Sequence, residues 1–179
     1  MGPEEVVFRP GTINDIQYVT DMARGHIETG LSWTWTPPRL IRTMLNPNVV
    51  LLLAQVEDNG PVGFGLMEVQ DQDAHLILLA VDPEWRGLGI GRRMIEWLEK
   101  TARHAAIGRV IAEVRVDNRE ARGFYRQLGY RETELLEGYY QGKVSAVRVA
   151  HHLYRPKPKD VAKWDRVIDA YLEELGGST

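Results

Sequence analysis

Residues 76–95, LILLAVDPEWRGLGIGRRMI, decide the fold. Leu76 to Val81 is a continuous apolar run, the pattern of a strand covered on both faces. Asp82 and Pro83 end it, because proline offers no ladder donor and holds the residue before it out of the helical region. A helix then begins among Gly87, Gly89 and Gly91. Missing side chains there let an anion approach unpaired backbone N–H groups and the positive end of the helix dipole. A diphosphate fits such a cradle, although glycines that open a helix also serve close packing. The string Arg86-x-x-Gly89-x-Gly91 lacks the Lys-Ser/Thr of a P-loop and the G-x-G-x-x-G of a dinucleotide fold. A nicotinamide oxidoreductase would also need a ribose-binding acid after its second strand, and none is placed there.

The second informative stretch is RVIAEVRVDNREARGFYRQLGY, Arg109 to Tyr130. It reads as an alternating β-branched strand, then Asn118 as a helix cap, then a short helix closed by Gly129. LLAVDPEWRGLGIG followed at this separation by EVRVDN and FYRQLGY resembles the two central motifs of the GNAT superfamily, the acetyl-CoA-dependent N-acetyltransferases. The resemblance covers Val6 to Tyr154 in element order, with its strongest motifs between Leu76 and Tyr130. It implies a GNAT-type acyl-CoA N-acyltransferase fold, an α/β architecture in which helices flank a splayed mixed sheet.

Composition agrees with one enzyme domain. A chain of 179 residues with 44% hydrophobic content can bury a real core. Its 22 basic and 25 acidic residues form no basic stripe suited to phosphate backbones, so nucleic acid is not expected as a partner. No signal peptide and no apolar run of membrane-spanning length are read, so neither a membrane partner nor any compartment but the cytoplasm is expected. The absence of cysteine excludes disulfides, thiolate metal sites and a cysteine acyl-enzyme. The five histidines lack metal-ligand spacing, and adjacent His151 and His152 point to opposite faces of a strand, so no metal is expected.

Along the chain, a strand at Val6 to Pro10 precedes a helix from Ile13 to about Ile27, opened by the capping pair Thr12 and Asp15. A short helix over Pro38 to Leu45 follows the loop ETGLSWTWTPP. Val49 to Glu57 and Val62 to Gln70 form a hairpin across DNGP, and the strand His75 to Val81 follows. The long helix, about Leu88 to Ala105, buries Gly91, Met94, Ile95, Leu98, Ala102 and Ala105 and pairs Glu96 with Lys100 and Glu99 with Arg103 on its other face. After the strand Arg109 to Val116 and the helix Arg119 to Leu128 come strands near Tyr130 to Tyr139 and Lys143 to Leu153. The division expected is a domain over 1–154 and, over 155–179, a Pro-rich spacer with an amphipathic C-terminal helix bearing Val161, Trp164, Ile168, Tyr171, Leu172 and Leu175. That helix packs on its own domain or, as the alternative, on a second copy in a homodimer.

Amide formation needs a neutral amine, a polarised thioester carbonyl and a proton donor for the departing thiolate. The resemblance implies Glu113, in EVR, as the base that removes the amine proton and Tyr125 as the acid that protonates the thiolate. The alternatives are a carboxylate paired with Arg115 or with a neighbouring strand's cation, and a core tyrosine. It implies acetyl-CoA as co-substrate, held by Leu79, Ala80, Val81, Arg86, Gly87, Leu88, Gly89, Ile90, Gly91, Arg92, Asn118 and Tyr125, with carbonyl polarisation from main-chain groups of Leu79 to Val81. Trp33, Trp35, Tyr139 and Tyr140 are the aromatic candidates for the acceptor site. SWTWTPPRL and GYYQGK loosely resemble acceptor loops of the bacterial enzymes that acetylate the N-terminal alanine of a ribosomal protein, while the last strand lacks that group's acidic residue and Met. The favoured acceptor is a peptide α-amine. The alternatives are a small-molecule amine and a non-catalytic acetyl-CoA-binding protein.

Overall fold

The computed structural model describes residues 6–57 and 59–154. The expected tail helix and spacer lie outside them. Strands β1 (Val6–Pro10), β2 (Val49–Val56), β3 (Gly60–Val69), β4 (Ala74–Val81), β5 (Arg109–Arg115), β6 (Arg131–Tyr140) and β7 (Val144–His152) form one sheet in the order β1-β2-β3-β4-β5-β7-β6. All neighbours are antiparallel except β4 and β5. Helices α1 (Ile16–Met22) and α2 (Pro37–Met44) cover one face, and α3 (Ile90–His104) and α4 (Arg119–Gln127) cover the other. The apolar run Val49 to Ala54 of β2 serves both layers: Leu51 and Leu53 face α1 and α2, while Leu52 and Ala54 face α3.

The parallel pair carries the functional geometry. β4 and β5 are in register only at Ala74 with Val110, His75 with Ile111 and Leu76 with Ala112. Beyond that point they part, leaving a wedge-shaped opening toward the carboxyl ends of both strands. A bulge starts the parting. β3 pairs Leu66 with Leu78 and Met67 with Leu76, so Ile77 has no opposite residue. The bulge turns the strand over: Ala74 and Leu76 belong to the core beneath α3, whereas Leu78 and Ala80 belong to the core beneath α1 and α2. The continuous apolar run therefore holds two strand segments of opposite facing.

Several expected boundaries move for local reasons. The helix expected over Ile13 to Ile27 is three pieces: a 3₁₀ turn at Ile13–Asp15, α1, and a π turn at Ala23–Ile27 closed by Glu28 N–H donating to the Ala23 carbonyl at 2.9 Å. The predicted cap at its start is present, with Thr12 and Asp15 bonded reciprocally. The first hairpin is tighter than expected, since Gly60 and Pro61 already pair with Val56 and Gln55 beside a bulge at Ala54/Gln55. α3 begins at Ile90, two residues late, because Gly89 at φ +78° is its cap. At its far end Ala105 is exposed, not buried, since the helix has already ended at His104.

Glu99 is the larger correction on α3. It is buried, not on the solvated face, and accepts from Tyr130 Oη at 3.0 Å and approaches His151 Nδ1 at 2.7 Å, with Arg103 at the edge at 3.5 Å. A buried carboxylate needs such partners, and these tie α3 to the start of β6 and the end of β7.

Candidate functional site

Two cavities meet at the parted strands. One, of about 410 Å³, lies between the start of α3 and α4 and is walled by Leu79, Ala80, Val81, Trp85, Arg86, Gly87, Gly89, Ile90, Gly91, Arg92, Asn118, Phe124 and Tyr125, among others. The other, of about 420 Å³, lies on the opposite side of the sheet and is walled by Glu28, Thr34, Trp35, Arg39, His75, Glu113, Arg115, Tyr139, Tyr140 and Gln141, among others. Leu79, Asn118, Tyr125, Ala121, His26 and Ile27 line both. The opening between β4 and β5 therefore joins two chambers, with Tyr125 at the junction.

The first chamber has the chemistry of an anion site. Gly87 and Gly89 adopt φ values of +77° and +78°, a conformation that a side chain would strain. Arg93 N–H makes the first bond back to Gly89, so the N–H groups of Ile90, Gly91 and Arg92 precede the helical ladder. Side-chain capping is absent at Gly89, and no acidic residue occupies the first turn of α3. Gly91 has a further reason to lack a side chain, because a Cβ there would lie 3.2 Å from the Phe124 ring. Arg86 folds back, its Nε donating to the Val81 carbonyl at 3.0 Å. Asn118 caps α4 through Ala121 N–H at 3.0 Å and also faces both chambers. Leu88 does not line the chamber; it is partly exposed beside the turn.

The second chamber is built around Glu113. With Ala112 and Val114 packed beneath α3 and α4, Glu113 projects from the other face of β5, as its alternation requires. His75 lies on that same face, since it alternates with core-facing Ala74 and Leu76 and pairs in register with Ile111. His75 Nε2 meets Glu113 Oε2 at 2.5 Å, and Arg148 Nε donates to Oε1 at 2.9 Å while its Nη1 holds Glu134 at 2.8 Å. The partners of Glu113 are thus His75 and Arg148, one on each neighbouring strand, not Arg115, which binds the Thr29 carbonyl at 2.6 Å and Asp117 at 3.3 Å. Burial alone would raise the Glu113 carboxyl, but the hydrogen bonds and charges of His75 and Arg148 outweigh it and leave it below the usual range.

Tyr125 is buried between Phe124 and Tyr130, with edge-on ring contacts at 5.3 and 5.2 Å. Burial, then the nearby Tyr140 and Glu113, push its phenol well above the usual value, so it stays protonated. Its hydroxyl has no hydrogen-bond partner among the described residues. An unengaged donor facing both chambers is free to serve a bound molecule. Tyr140 donates to the Glu113 carbonyl at 3.1 Å, and Tyr139 stacks edge-on against it at 5.0 Å. Trp35 lines this chamber with Arg39 lying 4.0 Å over its ring. Trp33 lines neither cavity. Arg24 lies over its ring at 5.1 Å, and its Nε1 is buried without a partner.

The sequence reading did not single out His75, Arg148, Trp85, Glu28 or Arg39. His75 carried a usable signal, as the one polar residue inside the run AHLILLAV. The pairing of Arg148 with Glu113 carried none, because it depends on the β5–β7 register of Glu113 opposite Arg148. The π turn that carries His26 and Ile27 to the chamber wall was likewise hidden within a helix-like pattern. Among the described residues, no group of His, Asp and Glu is placed to hold a metal, and no helix is long and apolar enough to cross a membrane.

Residues 20–130 match the acetyltransferase (GNAT) family. Over 91 residues, half of this chain and 58% of the relative, the protein is 40% identical to an uncharacterized N-acetyltransferase of Methanocaldococcus jannaschii. It is 30% identical over 100 residues to the ribosomal protein bS18-alanine N-acetyltransferase of Escherichia coli K12, spanning 54% of this chain and 68% of that enzyme. The fold is similar to that of Ard1 from Thermoplasma volcanium, with a TM-score of 0.74, 24% identity, and coverage of 84% of this chain and 99% of that one.

Proposed function

This chain belongs to the GNAT family of acetyltransferases, and from that premise we propose that it transfers the acetyl group of acetyl-CoA directly to an amine, favouring a peptide α-amine. The observation that carries this reading is the junction: Tyr125 lines the glycine-walled chamber and the Glu113 chamber alike. In this reading the N–H groups that open α3 receive the diphosphate, and the parted edge of β4 at Leu79 to Val81 receives the thioester arm. Glu28, Trp35, Tyr139 and Tyr140 wall the amine's side. Similarity to a ribosomal-protein alanine N-acetyltransferase supports the α-amine.

The steps balance without a covalent enzyme intermediate. The amine nitrogen attacks the thioester carbonyl, forming the C–N bond and breaking the C–S bond. The amine proton passes to the Glu113–His75 pair, directly or through water, and belongs to the pair because the two share a hydrogen bond. Tyr125 gives its proton to the departing sulfur, whose own basicity the same apolar surroundings raise. A depressed Glu113 is a weak base, and this bears on the acceptor. At pH 7.4 a lysine costs about 4 kcal/mol to neutralise and an α-amine under 1 kcal/mol. A weak base suffices only for the second.

Acetyl-CoA assayed against N-terminal peptides, lysine peptides, polyamines and aminoglycosides at pH 7.5 tests the reading. The free N-terminal peptides are expected to be the fastest acceptors. Faster transfer to lysine peptides or polyamines than to every α-amine would overturn the stated preference.

A further inference from the structure

We propose that the acceptor carries a carboxylate beside its reactive amine and that Arg39 binds that carboxylate. The proposal deepens the acetyl-transfer reading, on which it rests, by naming the acceptor class. It follows from the charges in the wall of the Glu113 chamber. Both carboxylates there already have partners. Glu28 accepts from Thr34 N–H at 2.9 Å, from Trp35 N–H at 3.1 Å and from the Thr34 hydroxyl. Glu113 is held on both oxygens by His75 and Arg148. Glu28 is spent on the amides and hydroxyl of its own loop, and Glu113 in the proposed reaction meets the reactive amine itself, so neither is left to recruit a second ammonium group.

The cations differ in this respect. Arg115 spends its guanidinium on the Thr29 carbonyl and Asp117. Arg39 lines the same cavity, half-buried, with one hydrogen bond of 2.8 Å from Nη1 to the Thr34 hydroxyl and its planar face on Trp35. No carboxylate pairs with it among the described residues. Stacking on an indole fixes the guanidinium while leaving most of its N–H fork open, the arrangement that suits a planar carboxylate. The Thr34 hydroxyl, bonded to both Glu28 and Arg39, fixes the fork's orientation. An amine with a carboxylate a few bonds away satisfies this wall. A polyamine or a lysine-flanked N-terminus meets an unbalanced like charge.

Two sources offer that chemistry, an acidic protein N-terminus and a free acidic amino acid, and one experiment separates them. Initial rates of CoA release are measured with acetyl-CoA and peptides that differ only in an N-terminal Ala, Asp, Glu or Lys, with free aspartate and glutamate in parallel. Asp and Glu are expected to exceed Ala in kcat/KM by roughly tenfold to a hundredfold, with Lys below Ala. In Arg39→Gln the acidic-to-neutral ratio should fall to about one, with Arg39→Lys between, whereas a merely structural loss would lower all acceptors together. Turnover of the free amino acids assigns the carboxylate to a small molecule, and turnover confined to peptides assigns it to a protein terminus; either supports the proposal. Equal wild-type rates on acidic and neutral peptides overturn it and leave the acetyltransferase reading intact. Transfer to no acceptor at all overturns both.

Discussion

Glu113 has the character of a group whose surroundings choose its role. His75 and Arg148 hold it ionised although it is buried, so at neutral pH it is available to accept a proton but is a reluctant base. Glu113→Gln should therefore slow transfer to an α-amine at pH 7 by roughly 10² to 10³ and lose much less near pH 9, where the amine deprotonates unaided. A rate deficit that stays constant from pH 7 to pH 9 would assign Glu113 to structure alone. Its identity as a candidate was legible in EVRVDN, because the strand's alternation and the family resemblance both point to that position. Its partners were not. His75 reaches it because the parallel register sets His75 opposite Ile111, on the face that Glu113 shares, and a register between strands is not written in either strand alone.

At the scale of elements, the start of α3 was the most legible part of the chain. Glycines after a proline-broken strand admit few structures, and the helix start expected there is present, displaced to Ile90 by the left-handed cap at Gly89, which the sequence reading places inside the first turn. Gly91→Glu would place a carboxylate at that helix start and press on Phe124. Calorimetry on the folded variant should find acetyl-CoA affinity reduced by about 1 to 3 kcal/mol, and unchanged affinity would remove the anion-site assignment. The capping box at Thr12 and Asp15 was legible too, but its link to β1 was not. Asp15 also binds Arg9 through Nη1 and Nη2 at 2.9 and 2.7 Å, and these bonds hold its carboxyl at about 2. The folded value lies below the unfolded one, so the stabilisation is complete above about pH 4 and is lost as pH falls toward 2. Asp15→Asn should cost roughly 1 to 2 kcal/mol at pH 7, less than the full linkage value because Arg9 is one-third exposed, and almost nothing at pH 2. Thermal melts at both pH values decide it; an equal difference at both would detach the pH dependence from Asp15.

For the whole molecule, one topological fact dominates: among the described strands the mixed sheet parts along the parallel β4–β5 seam, and the opening connects two chambers. Sequence order predicted the layers and the strand succession, since each element has a clear period and clear ends. The resemblance implied a sheet splayed at this strand near Leu79 to Val81, but the residues alone could not place where pairing along the seam stops, because Leu76 and Ile77 are equally apolar and nothing between them marks the bulge. Tyr125 stands at that place, with a protonated hydroxyl and an unfilled hydrogen bond. The most direct measurement is single-turnover transfer from acetyl-CoA to an N-terminal peptide by wild type and by Tyr125→Phe, with acetyl-CoA affinity measured on both proteins. The account predicts a chemical step slowed by roughly 10² to 10⁴ in the variant with affinity nearly unchanged; a variant that transfers at the wild-type rate would contradict it.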